Sequence, residues 1–233
     1  MTISPYAPWI ALAVLAVVVV VVVLLFRAEG RFQAKRETNV AAWAKSNGFK
    51  YEPLVAGLAI RADDQPFTGS PAAQSRDVIT GQTFAGRGFC SFVYEDVVSN
   101  GKMSVPVRAW MVSIRLPRRM PLLTVTDKTA AGVLAARLGR DVEVGQDDFD
   151  EAFRVESPEP AFARALLTPQ VVAWLLGPGE AAVPFRIVAH DMFWWESGDP
   201  DYNQLSDRLD LLDGLYDQIP CAVWGSFGRD DAG

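Results

Sequence analysis

A single histidine, His190, occurs in the 233 residues. Any Ser-His-Asp or Cys-His arrangement for nucleophilic hydrolysis must therefore run through it. It stands beside Asp191 where the pattern predicts a hairpin turn, and both residues have an ordinary structural reason to be there. The stretch Gly225-Ser226-Phe227-Gly228 lacks the G-x-S-x-G elbow and is expected in a C-terminal tail. Cysteine is almost as scarce. Cys90 and Cys221 are far apart and show neither C-x-x-C nor zinc spacing. One disulfide between them is open in principle, but they read rather as two buried thiols in a reducing compartment, where free cysteine packs as a small hydrophobe. Phosphate loops are missing too: Gly81, Gly86 and Gly88 fit neither G-x-G-x-x-G nor a Walker loop, and hairpin turns explain them. No cofactor and no metal is implied.

Clustered cations are also lacking in most of the chain. Residues 1–50 carry Arg27, Arg31, Lys35, Arg36, Lys45 and Lys50 against Glu29 and Glu37, a net +4, which leaves −10 of the total −6 on residues 51–233. Phosphate contacts need concentrated positive charge, so nucleic acid is disfavoured as a partner. Arg118 and Arg119, flanked by Pro117 and Pro121, form a basic pair read as a surface loop rather than an anion site.

What is present in abundance is apolar and local. Trp9 to Phe26, WIALAVLAVVVVVVVLLF, contains no charge, no polar side chain, no glycine and no proline. A helix of that length reaches roughly 27 Å, close to the hydrocarbon thickness of a bilayer, and a soluble core helix would show a polar stripe. The run predicts a single transmembrane helix. Residues 1–26 carry no charged side chain and four basic residues follow within ten positions. The positive-inside rule then places the N-terminus outside, the folded domain in the cytoplasm and the protein in the plasma membrane. The expected division is a short extracytoplasmic segment at 1–8, the span at 9–26, a basic juxtamembrane helix or linker at 27–48, and a folded domain at 49–233. Arg27, Arg31, Lys35 and Arg36 are candidate contacts to anionic headgroups, each contributing about 1 kcal/mol at best. Asn47-Gly48 supplies a left-handed helix stop.

The predicted fold class is α+β, an antiparallel sheet with helices packed on it behind the membrane anchor. Residues 61–76 read as a loop holding Asp63-Asp64. Residues 77–84 and 87–97 read as strands around Ala85-Gly86, and the second meets 103–116 across Asn100-Gly101, a strong hairpin signal. Trp110, Val112, Ile114 and Leu116 share one face, with Val107, Ala109 and Met111 on the other, so a central strand covered on both sides is expected. Pro106 limits the ladder near its start. Further on come a short strand at 122–126, a helix at 128–138, extended pieces at 142–144 and 149–155, and helices opened by Ser157-Pro158 and Thr168-Pro169. A second hairpin is predicted from 183–189 and 192–196, turning at His190-Asp191. Tyr202, Leu205, Leu209, Leu212, Tyr216 and Ile219 give a helix with Asp199 as cap and a solvated acidic face of Asp201, Asp207, Asp210, Asp213 and Asp217.

Two constellations invite a functional reading. Asp199, Asp201, Asn203, Asp207 and Asp210 match calcium-loop positions, but Gln204 stands where the glycine is needed, and the leucine stripe requires helix there. Trp194 and Trp195, with Trp224 near them, are candidate partner contacts; strand alternation would bury one of the pair and expose the other.

The pieces NGFKYEP (47–53), QPFTGS (65–70), DVITGQTFAGRGFCSFVYE (77–95), VSIRLPRRMP (112–121) and FDEAFRVESPEPAFARALLTP (149–169), behind an anchor with a basic collar, resemble a group of uncharacterised single-pass membrane proteins common in actinobacteria. That group carries no agreed activity or catalytic residues, so the resemblance implies an anchored domain and transfers no site. The expected function is a membrane-tethered binding, scaffold or accessory domain with a protein partner, or a homo-oligomer. The span has no small-xxx-small face in Val17 to Leu25 to drive tight helix pairing. The opposing class is an enzyme acting on a membrane-proximal substrate through Asp147, Asp148 and Asp150, or a ligand-sensing module.

Overall fold

The computed structural model describes residues 27, 34–58, 73–99, 104–128, 140–177 and 184–230. The expected span at 9–26, most of the loop at 61–76 and the expected helix at 128–138 lie outside the described residues. Among the described residues no helix is long and apolar enough to cross a membrane. The chain divides into two compact units, Met1–Asn47 and Gly48–Gly233. In the first, helix α1 (residues 34–46) ends where the Asn47 N–H donates to the Trp43 carbonyl at 3.2 Å. Gly48 opens the second unit with φ +75°, a conformation that favours glycine.

The second unit is an α+β fold built on one seven-stranded antiparallel sheet. Its strands are β1 (Lys50–Val55), β2 (Gln74–Gln82), β3 (Gly88–Ser99), β4 (Ser104–Asp127), β5 (Arg140–Asp141), β6 (Phe153–Ser157) and β7 (Phe185–Ser197). The order is β1-β2-β3-β4-β6-β5, and β7 pairs with the opposite edge of β4. β4 is the spine. On one edge it pairs with β3 up to Ile114↔Phe89 and with β6 from Thr124↔Glu156. On the other edge β7 runs alongside both halves.

Apolar alternation explains why β4 sits at the centre. Trp110, Val112, Ile114 and Leu116 on one face and Val107, Ala109 and Met111 on the other are all buried, as both-face coverage requires. One face forms a core with Val78, Phe92, Tyr94, Val107, Ala109, Met111, Phe193 and Trp195. On the other, Trp110 meets Trp194 edge-on at 5.3 Å and Tyr202 at 6.4 Å. Helix α5 (Leu205–Gln218) packs there on β4 and β7, burying Leu205, Leu209, Leu212 and Leu215. Helices α3 (Pro160–Leu166), α4 (Pro169–Leu175) and α6 (Cys221–Phe227) complete the layer. Thr168 caps α4, its side chain accepting from the Val171 N–H.

Several expectations are corrected. The strand expected at 122–126 is the second half of β4, which continues through Pro117 and Pro121. The second hairpin does not exist: His190 and Asp191 lie inside the continuous strand β7, which β4 pairs with on both sides of them. Residues 147–152 form a helix, α2 (Asp147–Ala152), where a strand from 149 was expected. Ser157 ends β6, donating its hydroxyl to the Leu122 carbonyl at 2.7 Å, and α3 begins only at Pro160. The last long helix starts at Leu205, preceded by a 3-10 turn at Tyr202–Gln204 that Asp201, not Asp199, caps. Asp199 instead pairs with Arg108 at 2.8 Å. The Gly225-Ser226 stretch belongs to α6 rather than a tail. Both cysteines are free, and neither is the buried thiol expected: Cys90 is half-buried and Cys221 exposed.

Charge is buried as well as apolar surface. Arg186 is fully buried on β7, in register with Thr124, which is itself opposite Glu156. Arg154 holds Glu156 at 2.9 Å and Asp141 at 2.8 Å. Hydrogen bonding to Asp141 raises the Arg154 pKa above its ordinary value, against desolvation by burial.

At the β2–β3 end, close packing sets a sharp limit. A Cβ on Gly81 would stand 2.7 Å from Phe49 Cδ1 and 2.8 Å from Phe89 Cε1, rings already locked edge-to-face at 4.9 Å. Gly81→Ala is expected to destabilise the unit by roughly 1–3 kcal/mol through overpacking. Urea unfolding checks this, and a midpoint indistinguishable from the parent would refute it.

Candidate functional site

The middle of β4 is where residues singled out in the sequence come together. Regular pairing with β7 runs from Ala109↔Ser197 to Arg115↔Asp191 and resumes at Leu123↔Ile187, with Met120↔Ala189 isolated between. β4 moves from residue 115 to 120 while β7 moves only from 191 to 189, so the stretch Leu116–Arg119 bulges out of the ladder. Pro117 and Pro121 suit this break, because neither has an N–H to give. Ala189 takes φ +50°, a strained value for a residue with a Cβ.

On the other edge of β4 the bulge faces the space between the ends of β3 and β6. The C-terminal segment fills it. The Arg119 N–H donates to the Arg229 carbonyl at 3.2 Å and the Arg229 N–H returns to Arg119 at 2.9 Å. Arg118 and Arg119 are therefore exposed side chains on a bridged strand, not a free loop. Arg115 holds Asp191 at 3.3 Å, Arg118 lies 3.8 Å from Asp230, and Arg229 lies 3.8 Å from Glu159. Such exposed pairs contribute about 0–1 kcal/mol each. The result is a knot of four arginines on an acidic unit. His190 sits half-buried at its side, with Asp191 committed to Arg115.

A second cluster ties the β2–β3 turn to α5. Arg87 bonds Asp213 at 2.7 Å and Asp217 at 2.5 Å, and its guanidinium lies 3.9 Å over the Tyr216 ring. Tyr216 stacks on Trp224 at 5.0 Å. Burial works against the Arg87 charge, but the hydrogen bonds and attraction of the two aspartates outweigh it and raise its pKa. Asp213 is thus buried, which corrects its placement on a solvated acidic face. The clamp holds a turn whose tip residue, Phe84, is 97% exposed.

Trp194 and Trp195 are both buried, at 4% and 6% exposure, because β7 is covered on both faces. The guanidinium of Arg208 lies 4.5 Å over Trp194. Of the three tryptophans singled out, Trp224 alone is half-exposed. Asp147 and Asp148 are exposed on the first turn of α2. The Asp150 carboxylate is committed to structure, accepting from the backbone N–H groups of Val144 at 2.9 Å, Gly145 at 2.8 Å and Gln146 at 3.1 Å. Among the described residues no cluster of three His, Cys, Asp or Glu is placed to hold a metal ion. Arg27 and Lys35 are exposed and Arg36 half-buried, while Arg31 lies outside the described residues.

Arg87, Arg115, Arg186 and Arg229 were missed by sequence reasoning. Arg87 and Arg115 reach across 126 and 76 residues of chain, and Arg186 and Arg229 lie opposite Thr124 and Arg119 of a distant strand, so no local spacing marks them.

No family model and no curated protein matches the chain. In fold it is similar to the crystal structure of the mycobacterial trehalose monomycolate transport factor A, TtfA, with a TM-score of 0.55 and 15% identity. The match covers 79% of this chain and 96% of that one. The likeness concerns the fold.

Proposed function

We propose that the chain is a membrane-tethered accessory protein of a transport assembly, anchored by residues 9–26, whose folded unit binds a protein partner. The observation that carries this reading is the fold similarity to a transport factor over 96% of the chain in that crystal structure. The uncharged apolar run and the basic residues behind it support the tether and an orientation with the folded unit in the cytoplasm. Arg27, Arg31, Lys35 and Arg36 are then the headgroup contacts. Trp224, half-exposed on its stack with Tyr216, is the aromatic placed to meet a partner, while Trp194 and Trp195 are buried on opposite faces of the sheet. Homo-oligomerisation through the folded unit is compatible with this role.

In-cell crosslinking and affinity purification of the intact protein tests the reading. The expected result is reproducible recovery of a membrane transport protein, weakened by Trp224→Ala. Recovery of no reproducible partner counts against it. Reporter fusions at the C-terminus test the orientation, and an exported C-terminus would overturn the cytoplasmic placement.

A further inference from the structure

Residues directly opposite in an antiparallel bridge send their side chains to the same face, with Cβ atoms about 4.5–5.5 Å apart, and like charges there repel. Arg119 and Arg229 occupy such a pair, with both backbone hydrogen bonds made. Both are exposed, Arg229 at 75%. The acid on this side is Glu159, 3.8 Å from Arg229, and among the described residues no ion pair reaches Arg119. The arrangement is held firmly. A Cβ on Gly228 would stand 2.3 Å from the Trp224 carbonyl oxygen and 2.7 Å from Arg118 Cδ, so the segment carrying Arg229 lies tight against β4. Two arginines thus leave one bridge on the same face, in a region of chain carrying −10. Their planar forks suit the oxygens of a tetrahedral oxyanion, which would also remove the repulsion.

We propose that Arg119 and Arg229 together form a binding site for a phosphate-class oxyanion, either on a lipid headgroup or free in solution. The site rests on the geometry of the folded unit and stands or falls separately from the accessory role, since its test involves no protein partner.

The full chain, held in dodecyl maltoside micelles in phosphate-free buffer, is melted with intrinsic tryptophan fluorescence as readout. Inorganic phosphate is added in one arm, and phosphatidylglycerol is mixed into the micelles in the other. At tenfold excess over Kd, Tm is expected to rise by about 3–5 °C. Arg119→Ala is expected to keep or raise the anion-free Tm, because it relieves the like-charge pair, and to abolish the rise. Arg119→Lys retains the charge without the fork and should keep part of it. A rise confined to phosphatidylglycerol assigns the site to headgroups, and a rise confined to inorganic phosphate assigns it to a free ligand. No rise in either arm, or an equal rise in Arg119→Ala, overturns the proposal.

Discussion

Trp110→Ala is expected to lower the stability of the folded unit by about 3–5 kcal/mol, the largest effect of any substitution considered. Trp110 is 2% exposed at the centre of β4. Its ring joins β4 to Trp194 on β7 and to Tyr202 ahead of α5, and its N–H donates to Ser91 Oγ at 2.9 Å across to β3. Removing it empties a volume bounded by three separate elements, none of which can collapse alone. For a domain of this size each kcal/mol corresponds to about 2–4 °C, so Tm should fall by roughly 6–20 °C. Trp110→Phe keeps most of the packing and should lose well under half as much. Equal losses for the two variants, measured by urea unfolding and calorimetry, would show that the ring packing is not what matters.

Asp150→Ala should cost about 2–3 kcal/mol, because one carboxylate satisfies three consecutive backbone N–H groups at Val144, Gly145 and Gln146. Water can replace part of this at the exposed Gly145 N–H, which keeps the figure below the sum of three charged hydrogen bonds. Asp147→Ala and Asp148→Ala, exposed on the same turn, should stay within about 0.5 kcal/mol. Amide exchange at residues 144–146 should accelerate in Asp150→Ala alone. If all three variants were equally damaging, the acidic turn would have a shared role that the geometry does not describe.

The contrast between Asp150 and its neighbours shows where sequence pattern runs out. Three acids in four residues look alike on the page, and only the chain reversal at Gly145, φ +85°, turns one of them onto the backbone. Long-range burial hides the same way. The spacing of Leu205, Leu209 and Leu212 makes the buried face of α5 plain, yet Asp213 beside them is buried too, because Arg87 reaches it from the β2–β3 turn. Period-two alternation correctly marked both faces of β4 between Val107 and Leu116. It failed at Pro117 and at His190-Asp191, where residues typical of turns lie in strands, since a bulge absorbs a proline or a left-handed residue as readily as a turn does. The Arg119–Arg229 bridge had no signal at all, being a pairing of mid-chain with near-terminus.

The length of β4 has a consequence for how the protein is made. Its partner β7 pairs Ala109 with Ser197 and Val125 with Phe185, so one edge of a 24-residue strand stays unsatisfied until the later part of the chain leaves the ribosome. At about 5–20 residues per second this is a wait of several seconds, with Trp110 to Ile114 and Leu122 to Val125 open to strand addition by another copy. Pro117, Arg118, Arg119 and Pro121 divide that edge into two short apolar runs. They act as gatekeepers during synthesis, whatever the arginines bind afterwards.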